Sequence, residues 1–77
     1  MNKRHKKYKV GDMVWCECYS WVKDGEVEEL RYVGPACIKN IVPFQVSQGD
    51  YHVRLPKIGI NGFNSWEIKE DWVLHEL

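Results

Sequence analysis

Val10-Gly-Asp-Met-Val-Trp-Cys-Glu-Cys-Tyr19 is the stretch that decides the fold class. It opens on a Gly-Asp turn and continues in residues that favour extended backbone. Successive side chains of a strand leave opposite faces. Val14, Cys16 and Cys18 therefore point one way, and Met13, Trp15, Glu17 and Tyr19 the other. The first set is small and apolar, which assigns it to the core. The second set, with its two aromatics, faces outward.

Strands and turns continue downstream. Ser20–Val33 contains Lys23-Asp-Gly-Glu26, a strong turn signal, and reads as a long hairpin-like excursion. Trp21 and Val22 lead out of it; Leu30, Tyr32 and Val33 lead back. Gly34-Pro35 then punctuates the chain before Ala36–Val42, where Ala36, Ile38 and Ile41 break strict alternation as a bulge does. Pro43 demotes the end of that strand. Gln48-Gly-Asp50 is a turn, and Tyr51, Val53 and Leu55 form the inward set of an alternating strand that Pro56 ends. Ile58–Asn64 is a loop or tight hairpin. Ser65–Ile68 is a short strand, Lys69-Glu-Asp71 a single turn, and Trp72–Leu77 a closing strand. Val14, Ile38, Val53, Leu55 and Ile68 are the expected core. Helical periodicity is nowhere sustained.

The chain has 77 residues, about half of the roughly 150 usual for a domain, and is read as one domain. At 44% hydrophobic and 29% charged it has the composition of a folded chain rather than a disordered one. Its longest uncharged stretches, Asn40–Gly49 and Ile58–Trp66, fall short of the roughly 18 apolar residues of a membrane span. No apolar run follows the basic start, so no signal peptide is expected.

Charge is uneven although the net is zero. Lys3, Arg4, Lys6, Lys7 and Lys9 give the first nine residues +5, and the 6 basic and 11 acidic residues that remain give −5. Residues 1–7 are read as a flexible basic arm and 8–77 as the folded domain. Three cysteines do not suggest a disulfide framework. Cys16, Cys18 and Cys37 lack metal-ligand spacing and are expected reduced, metal-free and at least partly buried, which fits a cytoplasmic protein.

Five short strands in this length hide their edges by closing into a small barrel. Tyr8–Trp15, Gly34–Ile38, Tyr51–Leu55 and Trp66–Leu74 together resemble the SH3-like barrels, a grouping that includes Tudor, PWWP and KOW-type modules and many small phage or prophage proteins. The resemblance covers residues 8–77. It implies an all-β, five-stranded barrel with a long loop after the first strand and one helical turn before the last. Cys18-Tyr-Ser-Trp-Val22 stands where PWWP modules carry prolines, and the body is acidic where KOW modules are basic. Tudor-like readers hold methylated lysine or arginine in an aromatic cage, and Trp15, Tyr19, Trp21, Tyr32, Phe63 and Trp66 are the rings available for one. Packing of a tiny barrel is the competing use of those rings.

Catalysis has little to work with: no nucleophile signature surrounds the cysteines, the glycines are scattered singly, and no cofactor is implied. Two binding functions remain. The preferred one is a protein-interaction module, a regulator or inhibitor that docks on a larger partner through Trp15, Tyr19, Trp21 and Tyr32, with Glu26, Glu28 and Glu29 steering a basic surface. The alternative is a nucleic-acid-binding barrel, with Lys3, Arg4, Lys6, Lys7 and Lys9 on phosphates and surface aromatics on bases.

Overall fold

The computed structural model describes residues 6–21, 29–43, 49–57, 60 and 62–77. Five antiparallel strands form one open sheet: β1 (Met13–Tyr19), β2 (Leu30–Ile41), β3 (Tyr51–Arg54), β4 (Ser65–Ile68) and β5 (Val73–Glu76). Their spatial order is β4-β3-β2-β1-β5, so the first four strands meander and the last returns beside the first. One 3-10 turn, Glu70–Trp72, precedes β5. Among the described residues no helix is long and apolar enough to cross a membrane.

The opening turn works as its residues dictate. Asp12 accepts the Lys9 N–H on its carboxylate at 2.9 Å, and its own N–H returns to the Lys9 carbonyl at 3.0 Å. Gly11 takes φ +99°, where a side chain would be strained. The turn then joins the sheet, because Gly11 donates to the Ile38 carbonyl and Ile38 donates to the Asp12 carbonyl.

The expected facing holds on three strands. Val14, Cys16 and Cys18 of β1, Ala36 and Ile38 of β2, and Tyr51 and Val53 of β3 are all at most 2% exposed. Leu55 and Ile68 join them, and Tyr8, Ile60 and Trp72 complete the core. The expected bulge is present as a register shift between Ile38 and Asn40, where β2 meets β3.

One expected break is absent. Gly34-Pro35 lies inside β2, which runs without interruption from Leu30 to Ile41, so Leu30, Tyr32 and Val33 belong to that strand rather than to an excursion. The proline is harmless for a geometric reason. Ile38 both donates to and accepts from the β1 side, so even-numbered residues of β2 turn their backbone groups toward β1. Pro35 therefore presents its nitrogen to the opposite edge, where the pairing with β3 ends at Cys37. Gly34 leaves room for the Tyr32 ring: a Cβ there would lie 2.6 Å from the Tyr32 hydroxyl oxygen, so the ring would have to shift.

Tryptophans tie β4 to the end of β1, although β3 and β2 lie between them in the sheet. Trp66 Nε1 donates to the Tyr19 carbonyl, and Trp21 Nε1 donates to the Glu67 carbonyl, each at 2.8 Å. The sheet is thus curled, with Trp72 of the 3-10 turn lodged in the core. Trp72 lies 5.0 Å from the Tyr19 ring and 5.1 Å from the Trp21 ring, centre to centre.

Candidate functional site

The outer face of β1, β2 and β5 is built by the alternation that fills the core. Met13, Trp15 and Glu17 pair across the ladder with Cys37, Pro35 and Val33. On the other side Trp15 pairs with His75, and the two rings stack at 6.4 Å with planes 5° apart. Leu77 donates to the Met13 carbonyl, which sets it at the same end. Met13 and Val33 are each 44% exposed and Leu77 58%, while Trp15, Pro35 and Cys37 are half-buried. Met13, Pro35 and Cys37 also line a shallow depression of about 210 Å³ with Pro56 and Arg54.

The aromatics expected to act together are divided by the structure. Trp15 stays on the outer face. Tyr19, Trp21 and Tyr32 are half-buried and pack against the core. The Tyr32 hydroxyl donates to the Pro35 carbonyl at 2.8 Å, and the Tyr19 hydroxyl donates to Glu17 at 2.6 Å. Burial pushes the Tyr32 phenol above its ordinary pKa. Trp21, expected as an exposed anchor, is held by its indole bond and by Trp72. The Lys69 ammonium lies 5.6 Å from the Trp21 ring centre and 5.8 Å from that of Trp72. A cation of the chain itself therefore faces the pair of rings that a ligand cation would need.

The charged groups are likewise redistributed. Glu26 and Glu28, and Lys3 and Arg4, lie outside the described residues. Glu29 is exposed at the foot of β2, and its N–H donates to the Ser20 hydroxyl. Lys6 and Lys7, assigned to a free arm, are folded onto the body. Lys6 pairs with Asp50 at 2.7 Å, and the Lys7 N–H donates to Glu70. Asp50 also accepts the Glu70 N–H. Tyr51, 0% exposed, accepts the Tyr8 N–H at 3.0 Å and donates to Glu70 at 2.7 Å. Burial, then the bond to Glu70, holds the Tyr51 phenol protonated well above the ordinary tyrosine value. Lys9 remains exposed, its N–H spent on the opening turn.

The three thiols are free, Cys16 and Cys18 at 0% exposure and Cys37 half-buried. A hydrogen bond to Cys16, followed by burial, keeps the Cys18 thiol protonated far above its usual range. Such a thiol is neither a nucleophile nor reachable by substrate. Among the described residues no three His, Cys, Asp or Glu side chains gather as metal ligands.

A second surface went unnoticed in the sequence. Lys39, Arg54 and Lys57 line one concavity of about 450 Å³ with Leu55, Asn64 and Ser65. Lys39 and Ser65 continue into a neighbouring concavity of about 320 Å³ with Asn40, His52, Trp66 and Glu67. The cations come singly from three places in the chain, so no run of charge announces them. The available signal was Arg54, an outward position between inward Val53 and Leu55. No family model, curated protein sequence or solved structure matches this chain.

Proposed function

We propose that this chain is a non-catalytic protein-interaction module with the architecture of an SH3-like small barrel. It docks on a larger partner through the outer face of β1, β2 and β5. The observation that carries this reading is the apolar strip around Trp15, in which Met13, Val33 and Leu77 are exposed beside the Trp15–His75 stack. Apolar side chains grouped at the surface mark an interaction site, and a large aromatic at the centre is the usual anchor. The strand order, the 3-10 turn before β5 and the two indole bonds from β4 to the end of β1 support the barrel. Glu26, Glu28 and Glu29 between β1 and β2 supply negative charge that draws a basic rim on the partner. Free thiols, two of them buried, suit the cytoplasm.

The test compares the wild-type chain with Trp15→Ala and Met13→Ser as immobilised baits in lysate of the native host. A partner should bind the wild type and lose about 2 kcal/mol of affinity on Trp15→Ala, as for an interface anchor. Circular dichroism melting of the baits confirms that they are folded. Binding that is indifferent to both substitutions overturns the proposed surface.

A further inference from the structure

Resting on the docking face described above, we propose that its partner presents an extended acidic segment with one apolar anchor. The anchor sits beside Met13, at the start of β1, and Arg54, at the end of β3.

The seat is the shallow depression of about 210 Å³ walled by Met13, Pro35, Cys37 and Pro56. It belongs to the Trp15 face, because the Trp15–Pro35 pair is the next outward pair along the ladder from Met13–Cys37. Arg54 is the one charged side chain that lines it among the described residues. The same arginine lines the adjoining concavity of about 450 Å³ with Lys39 and Lys57, where no described carboxylate is present. An apolar seat and a basic wall therefore share one guanidinium. None of Arg54, Lys39 and Lys57 is in an ion pair with a described residue. Their charge complements carboxylates flanking the seated side chain, and the arginine fork receives a carboxylate through two N–H groups at once. Glu29 is exposed just before the opposite end of β2, so a basic rim and an acidic segment of the partner meet different ends of the face.

The strand edge selects a polypeptide. Even-numbered residues of β2 turn their backbone groups toward β1, so Val33 turns its N–H and C=O the other way. Pairing with β3 ends at Cys37, and no described residue pairs with Val33 on that side. Pro35 has no N–H, and its carbonyl already accepts the Tyr32 hydroxyl. Val33 thus offers a donor and an acceptor that an added strand satisfies. A chain paired there lies in line with the end of β3 and has the depression at its near end. Nucleic acid fits less well, since the residues lining the depression include no ring on which a base stacks.

The experiment is a heteronuclear NMR titration of the full chain with nine-residue peptides. One carries a leucine flanked by two glutamates on each side; the others replace the leucine with serine or the glutamates with glutamine. Oligo(dT) is the fourth titrant. The glutamate–leucine peptide should bind tightest and move the signals of Met13, Cys37 and Arg54. At saturation it should slow hydrogen exchange of the Val33 amide about five-fold or more, as a new ladder bond does. Arg54→Glu should weaken binding at least about ten-fold, and Met13→Ser about three-fold or more. No binding at millimolar peptide, equal binding of any other titrant, or an unprotected Val33 amide would each overturn the proposal. So would binding that is lost on deletion of residues 1–5 but kept by Arg54→Glu. Circular dichroism melting of both variants separates lost binding from unfolding. A lysate partner that depends on Trp15 but ignores Arg54→Glu sinks this inference alone; one that ignores Trp15→Ala sinks the docking face itself.

Discussion

The two faces of the β1–β2 ladder carry similar residue types to opposite ends. Inward, Cys16 and Cys18 lie in a core with Tyr51 and Trp72. Outward, Cys37 and Trp15 sit among partly exposed apolar neighbours. Residue type does not separate the two sets; the destination of each polar atom does. The Trp21 and Trp66 indole N–H groups both end on backbone carbonyls, and the Tyr51 hydroxyl joins Tyr8 to Glu70. An aromatic whose polar atom is consumed inside the molecule is part of the scaffold, because leaving that atom unpaired would cost about 1–3 kcal/mol, a large part of what burying the ring gains.

Breaking the inner set should have the largest effect. Trp72→Ala removes a ring that is 6% exposed and contacts two others, and should cost about 3–5 kcal/mol in urea unfolding. Trp21→Ala removes a half-buried ring and leaves the Glu67 carbonyl without that donor, and should cost about 2–3 kcal/mol. A loss below 1 kcal/mol at Trp21, the size of an ordinary surface substitution, would return Trp21 to the candidate recognition surface.

Alkaline pH sharpens the same contrast. Burial and the bond to Glu70 raise the native pKa of Tyr51 above its ordinary 10.0. The unfolded chain therefore releases the Tyr51 proton before the native state does, and stability falls as pH rises past about 10. The urea midpoint should decline as pH rises above about 10. Tyr51→Phe should flatten that decline. At neutral pH, Tyr51→Phe should cost about 1–2 kcal/mol for the lost hydroxyl bonds.

The outer set should tolerate change. Trp15→Ala should shift stability by about 1 kcal/mol or less, while its effect on partner capture is large. The smallest effect is a matter of reactivity alone. In the native protein Cys37 should react with a thiol reagent such as DTNB, and Cys16 and Cys18 only on unfolding. Equal rates for all three would mean that the two faces are not as distinct as their exposures say.

These contrasts also mark what was legible in the amino-acid order. Alternation is local, so Val14, Cys16 and Cys18, like Tyr51, Val53 and Leu55, announced their side of the sheet correctly. The bulge after Ile38 was visible for the same reason. Pro35 misled because its cost depends on which edge its nitrogen faces, and that is decided by where β3 stops. Trp21 misled because its hydrogen-bond acceptor is 46 positions away. The groove of Lys39, Arg54 and Lys57 is assembled from three separated segments, so no window of sequence contains it.

The paired indole bonds have one more consequence, for time rather than for stability. They connect positions 46 and 47 apart, across loops that must close first. Contacts at such separation, if made only after the hairpins have assembled, would lie on the native side of the folding barrier. Weakening either bond should therefore hasten unfolding and leave the folding rate almost unchanged. On that order of events the two tryptophans would act as latches, setting how long a folded molecule lasts more than how quickly one is made.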